Sequence, residues 1–495
     1  MSTNSELTSS GTTPFRSHKS TSSIRLFSWC AGLCLCAVAG IYPVLVLMVA
    51  VAVVCAFALS RSAYFRLVWL IAGALLVFQT DAGLSTAKLA YVGGLIVSSV
   101  FSVRGVVEVL RSDWGRRFRP AVLATAVIVV WVGLISSLYA IIVAGASVQD
   151  WLRDSLTYLL ISVAVLVGVD ATRHVSLRVA RRTTVILGLA SAYGFSTAWI
   201  SRRHIDTSTV DSASQSLLAS IAALAVPFAL ALVMGLTGRI RTVWLLYGTV
   251  LVLAVLVTGT RTGLVLGAVL LGVTGLARHQ RVSFGRALVG LSVLFALLGV
   301  ALPVASTLFT TSGYGQSRLR MAILAITQGI GQDASGAERL NAYALAKRIF
   351  LEHPLMGQGV GVSFPSARTG RVGTILFSLD TPWTLLAKFG IAGGVIIISS
   401  IGLIVFSCAR RDGGEWLIES TVARGTVVFW IALLPFGVIS EDKGFAISVA
   451  LLILLVGTAS KEASRPKELH DPQLDAESVI GALPSDDLHR WTASA

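Results

Sequence analysis

Long apolar runs separated by short polar stretches recur along the chain from Leu26 to Ala459. The runs approach the roughly 20 mostly apolar residues of a membrane-spanning helix, and they lack the alternation of outer-membrane strands. The pattern predicts an all-α polytopic membrane protein with about 14 transmembrane helices (12–14) and one long external loop. The fourteen predicted segments are 26–42, 43–60, 64–80, 84–102, 120–145, 152–169, 183–200, 214–236, 242–258, 262–277, 286–308, 384–408, 421–439 and 444–459.

Polar stretches divide this pattern into five parts. Residues 1–25 are rich in Ser and Thr and predict a disordered cytoplasmic tail, and residues 460–495 predict a second one. Helices 1–11 occupy 26–308, an extracytoplasmic loop occupies 309–383, and helices 12–14 occupy 384–459.

The positive charges predict the orientation. With the N-terminus in the cytoplasm, cytoplasmic segments hold 26 Lys and Arg, while the short external loops hold only 6. Cytoplasmic loops of inner-membrane proteins collect Lys and Arg. We therefore expect a multi-pass protein of the plasma (inner) membrane with both termini in the cytoplasm. The same bias explains the net charge of +15 without a nucleic-acid partner, since no soluble basic domain is present.

Composition supports the membrane class. Mean hydropathy is +0.79 and only 13% of residues are charged, about half the fraction of a soluble domain. The five cysteines predict neither a disulfide framework nor a metal site, because each falls in an apolar segment and none in a predicted external loop.

The 309–383 loop carries its own helical pattern. Ser335 and Glu338 have capping-box spacing, and Pro354 ends the pattern just after His353. Between them one face is apolar, which predicts an amphipathic helix. That face consists of Ala342, Leu345, Ala346, Ile349 and Phe350. The stretch 317–330 predicts a second amphipathic helix.

Three alternating glycines, Gly357, Gly359 and Gly361, follow this helix. Glycine lets backbone approach a neighbour closely. The pattern does not follow a strand, so it does not indicate a dinucleotide fold. Packing of the loop on the membrane helices and contact with a ligand both remain open.

The chemistry-bearing residues expected outside are mainly arginines. Arg202, Arg203 and Arg261 lie there against the usual charge bias. No zinc-protease, hydrolase or P-loop motif occurs, and no cluster has metal-ligand spacing. This inventory suits electrostatic handling of a phosphate or diphosphate without a metal.

Three segments resemble the O-antigen ligase/O-antigen polymerase superfamily over residues 240–400. "GTRTG" around Arg261 is similar to the family's Ser-Arg-Gly joint, and "ERLNAYALAKRIFLEHPLMGQGVGVSF" resembles its loop signature. "LDTPWTLLAKFGIAGG" resembles the segment that returns to the membrane. The helices before residue 240 match in hydropathy alone.

The resemblance implies a metal-independent, inverting glycosyltransferase of cell-surface polysaccharide biosynthesis that needs no cofactor. It would move a glycan from an undecaprenyl-diphosphate carrier to an acceptor glycan or glycolipid at the outer face of the membrane. It also implies a polysaccharide flippase and a chain-length regulator as partners. Carried over by position, the catalytic candidates are Arg261, Asp380 and Arg339, and the substrate-binding candidates are Arg202, Arg203, His353, Gly357 and Gly359.

The chain departs from the family pattern at three positions. Asp380 stands where the ligases have a His, Thr381 where the family has an Asn, and Lys388 where it has a Glu. Asp380 favours a polymerase over a ligase and is the candidate general base. Two alternatives remain: a multi-pass transporter of a small anionic or lipid substrate, and a non-catalytic polysaccharide-assembly protein. We see no internal repeat and little charge inside the helices, which disfavours a transporter.

Overall fold

The computed structural model describes residues 43–78, 85–202, 220–237, 241–257, 334–364, 379, 381–410, 418–434 and 441–464. Over these residues the chain is 87% helix and contains no strand, which confirms the all-helical prediction. The chain divides into two compact units, residues 1–61 and residues 62–495. The first unit contributes helix α1, Pro43–Arg61.

The second unit contributes eleven helices within the described residues. They are α2 Ala63–Val77, α3 Thr86–Arg111, α4 Arg116–Val143, α5 Val148–Ala171, α6 Leu177–Arg202, α7 Ile221–Thr237, α8 Arg241–Val257, α9 Ala334–Glu352, α10 Trp383–Ala409, α11 Ile418–Leu433 and α12 Lys443–Ala463. Most of their bounds lie within a few residues of the predicted apolar segments. The predicted segments 26–42, 262–277 and 286–308 and the stretch 317–330 lie outside the described residues.

Within the described residues, five helices are long and apolar enough to cross a membrane: α3, α4, α5, α10 and α12. A sixth span results if 50–61 and 63–77 are counted together. These helices support a multi-pass membrane protein. The count of fourteen spans, the choice of membrane and the orientation of the termini stay predictions.

Helix α12 lies at the centre of the second unit. It packs against α5, α6, α7, α10 and α11. Of the residues in its apolar 18-residue stretch, 94% are buried, against 22% in the corresponding stretch of α4. Apolar side chains such as Val100, Ile142 and Ile398 are exposed on the outer helices. An exposed apolar surface around a packed centre fits a protein surrounded by lipid.

The predicted loop helix is present as α9. It begins at Ala334, one residue before the predicted cap Ser335, and ends at Glu352, before Pro354. Ala342, Ala346 and Ile349 are buried, as the apolar pattern predicts. Helix α9 packs on α10, so the segment before the glycines contacts the segment after the loop.

A cation is buried at each end of this unit, Lys388 at one end and Arg117 at the other. At the Lys388 end, α4 ends while α5, α10 and α12 begin. At the Arg117 end, α4 begins while α10 and α12 end. The distribution of Lys and Arg predicts that the Lys388 end is external and the Arg117 end cytoplasmic.

Candidate functional site

Helix α10 is broken at Gly390, two turns from its start. Gly390 has φ 62° and ψ −166°, whereas the helix continues on both sides. This backbone conformation is accessible essentially to glycine alone. A Cβ at Gly390 would lie 2.2 Å from the carbonyl oxygen of Leu355, so the break also gives the preceding loop room to approach.

The loop replaces the missing helical hydrogen bonds at this break. In an unbroken helix the amides after Gly390 would donate to carbonyls four residues earlier. Instead, the helix amides donate to the loop and the loop amides donate to the helix. The four exchanged hydrogen bonds are Ile391 N to Pro354 O (2.8 Å), Ala392 N to Leu355 O (3.2 Å), Gln358 N to Ala387 O (2.8 Å) and Gly359 N to Lys388 O (3.1 Å).

The three alternating glycines fit this packing. All have positive φ, 71° at Gly357, 100° at Gly359 and 84° at Gly361. A Cβ at Gly357 would lie 2.4 Å from the carbonyl of Lys388, and one at Gly361 would lie 2.6 Å from the backbone of Trp151. Close approach to neighbouring backbone is therefore the role that the structure gives Gly357 and Gly361, whereas at Gly359 the positive φ is what favours glycine.

The backbone amides of the three glycines all donate hydrogen bonds to acceptors within the protein. Gly357 donates to the His353 carbonyl, Gly359 to the Lys388 carbonyl and Gly361 to Oδ2 of Asp154. Helix α4 supports the loop through Tyr139, whose hydroxyl donates to the Gly357 carbonyl at 3.1 Å. Tyr139 begins a π-helical turn, Tyr139–Val143, a feature often found at functional sites.

A buried ionic cluster lies directly beside the break. Nζ of Lys388 lies 2.6 Å from Oδ1 of Asp154 and 2.6 Å from Oε1 of Glu441. The Tyr158 hydroxyl donates to the same Glu441 oxygen at 2.9 Å. The side chains of Lys388, Asp154 and Glu441 are 1%, 5% and 9% exposed, so none of them is bathed by bulk solvent.

This cluster joins three helices and the loop. Lys388 comes from α10, Asp154 from α5, and Glu441 from the residues just before α12. Asp154 holds both the Lys388 ammonium and the Gly361 amide. Two carboxylates surround one ammonium. The Gly361 amide also donates to the second oxygen of Asp154, and the Tyr158 hydroxyl is a second donor to the Glu441 oxygen that binds Lys388. Buried charges require such partners.

A third carboxylate, Asp442, is the N-cap of helix α12. It accepts from the Ser220 hydroxyl and the Gly444 amide, each at 2.8 Å. Burial raises the pKa of the Asp442 carboxyl above its ordinary value, and these hydrogen bonds together with the charge of Lys443 offset only part of that effect. The ammonium of Lys443 lies 4.4 Å from the centre of the Phe78 ring.

Aromatic side chains cover the contact of α9 with α10. The Trp383 ring lies 5.8 Å from that of Tyr343 and 5.5 Å from that of Phe350, centre to centre. The first turn of α10 is fixed by Thr384, whose hydroxyl donates to the Leu379 carbonyl at 2.8 Å. The return segment is thus anchored on α9 and on its own first turn.

The predicted site residues are described to different extents. Arg261, Arg203 and Asp380 lie outside the described residues. Arg202 is the last residue of α6 and Arg339 lies in α9, and their side chains are not described. His353 is exposed and follows α9, where its amide donates to the Ile349 carbonyl at 3.0 Å. Gly357 and Gly359 lie at the helix break.

Sequence reasoning missed the roles of Asp154 and Glu441 and gave Lys388 none. In the sequence, Lys388 stands out only as a departure from the family pattern. The expectation of little charge inside the helices was incomplete, because Lys388 and Asp154 lie inside candidate spans. The available signal was that all three ionisable residues fall near predicted external helix ends.

No metal centre is found in the part of the chain that the structure describes, where no group of three or more His, Cys, Asp and Glu could hold an ion. A comparison with protein-family models finds no match, and neither does a comparison with curated proteins.

Proposed function

We propose that this protein transfers a glycan from an undecaprenyl-diphosphate carrier to an acceptor glycan or glycolipid at the outer face of the plasma membrane, as a polysaccharide polymerase or ligase. The proposal rests on the resemblance of three segments to the O-antigen ligase/polymerase superfamily. It assigns diphosphate binding to Arg261 and Arg339, with Arg202 and Arg203 contributing positive charge nearby.

One observation carries the proposal furthest: two of the three resembling segments interlock at one end of the helices. Residues 354–359 pair with the break at Gly390, and α9 packs on α10 beside it. The stretch 365–378 separates these two segments in the sequence, and no sequence pattern predicts that they contact each other. Their contact supports a shared site at the Lys388 end, where the charge bias predicts the outer face.

The proposed chemistry needs fixed cations and one base. An acceptor hydroxyl oxygen attacks the anomeric carbon of the carrier-linked sugar, and Asp380 accepts the hydroxyl proton. The bond from that carbon to the phosphate oxygen breaks, and the carrier diphosphate leaves with the electron pair. Arginines stabilise the charge that develops on the leaving group, an effect that is stronger where water is excluded.

The test is glycan transfer in proteoliposomes. Lipids from the deletion strain supply the carrier-linked species that accumulates without the protein, and mass spectrometry follows its conversion. We expect Arg261→Ala to lower the transfer rate by about 100-fold or more, since one oxyanion-stabilising donor contributes that much. Arg348→Ala is the matched control, because Arg348 is exposed beside Glu352. Wild-type turnover by Arg261→Ala would remove the diphosphate role.

The predicted orientation has its own test. A periplasmic phosphatase reporter fused within 309–383 should be active, and a fusion after residue 464 should be inactive. The reverse pattern would overturn the topology and with it the proposed external site.

A transporter is the second candidate, favoured by the broken helix and the buried ionic cluster. Broken helices and ionisable residues inside spans occur at transport sites. The same proteoliposomes separate the two functions: a transporter moves the carrier-linked species across the bilayer unchanged, whereas a transferase changes its mass.

A further inference from the structure

The break at Gly390 allows two alternative pairings of the same backbone groups. With the loop inserted, four exchanged hydrogen bonds link 354–359 to α10. With the loop withdrawn, α10 is able to close its own helical bonds across Gly390, while the loop groups then require water. Backbone groups without partners are costly in lipid, so the balance depends on what else holds the loop.

The ionic cluster holds the loop at both of its ends. Lys388 lies just before the break. Its carbonyl accepts from the Gly359 amide, and the carbonyl of the preceding residue, Ala387, accepts from the Gln358 amide. Asp154 binds the ammonium of Lys388 and the amide of Gly361. Withdrawing the loop therefore breaks a hydrogen bond to Asp154, and moving Lys388 leaves two buried carboxylates without their shared cation.

Direct contact of Lys388 with a substrate is inconsistent with its surroundings. Its side chain is 1% exposed, and its ammonium donates to two carboxylates at 2.6 Å each. A diphosphate would have to displace both carboxylates from a buried position. Lys388 therefore acts through the backbone it fixes.

We propose that Lys388 is the positioning residue of this site: held between Asp154 and Glu441, it keeps residues 354–359 inserted in the break of α10. The inserted loop then sets the relative position of α9, which contains Arg339, and the return segment from Leu379. The structural part of this inference stands without the transferase, whereas its effect on turnover rests on the proposed function.

Amide hydrogen exchange of the full-length protein in lipid nanodiscs tests the structural part. Lys388→Met should speed exchange of the loop amides Gln358, Gly359 and Gly361 by about tenfold and leave α12 unchanged, because local opening frees only the amides it exposes. Lys388→Arg keeps the charge, so the same amides should exchange as slowly in this variant as in the wild type. Lys347→Met is the matched control, since Lys347 is exposed on α9.

Three results would overturn the inference. They are unchanged exchange at Gln358 and Gly359 in folded Lys388→Met, equal acceleration throughout α12, or acceleration of the same size in Lys347→Met. If Lys388→Met does not fold, Glu441→Gln is measured instead, because it retains the Lys388–Asp154 pair. We expect faster exchange confined to the same amides there, and wild-type exchange contradicts the proposal.

Transfer kinetics test the effect on turnover. Lys388→Arg should retain most transfer activity, whereas Glu441→Gln should lower kcat by about tenfold with little change in the KM for the carrier-linked donor, as misplacement of the reacting groups predicts. A large rise in KM alone would instead make the cluster part of donor binding. Failure of the wild-type protein to transfer glycan defeats the proposed function, but it leaves the exchange result interpretable.

Discussion

The Lys388 end and the Arg117 end both bury a cation, but they satisfy it differently. Lys388 lies between two carboxylates from separate helices. Arg117, 3% exposed, donates to neutral oxygens: the carbonyls of Ser407, Cys408 and Arg410 and the hydroxyl of Ser460. The carbonyls at a helix C-terminus lack helical partners and carry partial negative charge.

The two buried cations therefore have different roles: Arg117 holds helix ends together, whereas Lys388 positions a loop. Arg117 fastens the end of α10 to α4 and α12, and no loop depends on it in the described residues. Lys388 fastens the start of α10 beside a broken turn and an inserted loop. A charge matched by carboxylates near a helix break is therefore the stronger indication of function.

The largest effect is expected from Gly390→Ala at the Lys388 end. The positive φ and the 2.2 Å approach to the Leu355 carbonyl make alanine incompatible with the inserted loop. We expect a loss of about 3 kcal/mol or more in unfolding free energy, or displacement of the loop with loss of activity. Thermal melting in detergent and hydrogen exchange at 354–359 measure the two outcomes.

Gly402→Ala is the control for that substitution. It lies in the same helix, and a Cβ there meets no atom within 4 Å. Its melting temperature should equal or slightly exceed that of the wild type. Equal effects of the two substitutions would contradict the special role of the break.

An intermediate effect is expected from Arg117→Met at the opposite end. The variant removes the donors to three helix-end carbonyls, and we expect about 2–3 kcal/mol lower unfolding free energy because hydrogen bonds to charged groups are lost. Exchange at 354–361 should stay as in the wild type. Arg116→Met, which changes a neighbouring exposed arginine, is the control. Faster exchange at 354–361 in Arg117→Met would contradict the proposed difference between the two ends.

The smallest effect is expected from Arg104→Ala. Its side chain is 90% exposed and lies 3.3 Å from Glu108, which also pairs with Arg173. Exposed ion pairs contribute little, so the unfolding free energy should change by less than about 0.5 kcal/mol. A drop comparable to that of Arg117→Met would mean that exposed charge, and not burial, governs stability at this end.

Much of the local structure was predictable from the order of residues. The apolar runs predicted most helix bounds, and the spacing of Ala342, Ala346 and Ile349 predicted the buried face of α9. Pro354 predicted its end. These features depend on hydrophobic periodicity and on backbone sterics within a few residues.

The candidate site was less predictable. The glycines indicated close backbone approach but not its partner, which proved to be a break in α10 about 30 residues further along the chain. Asp154 and Lys388 are separated by 234 positions, and no local pattern pairs them.

The sequence by itself determined where helices form and which segments are apolar enough for a membrane, because both depend on nearby residues. Only the tertiary structure decided that Lys388 lies between Asp154 and Glu441 and that the loop completes a broken helix. Such contacts depend on how distant helices pack, and a buried charge is tolerated only where that packing brings its partners to it.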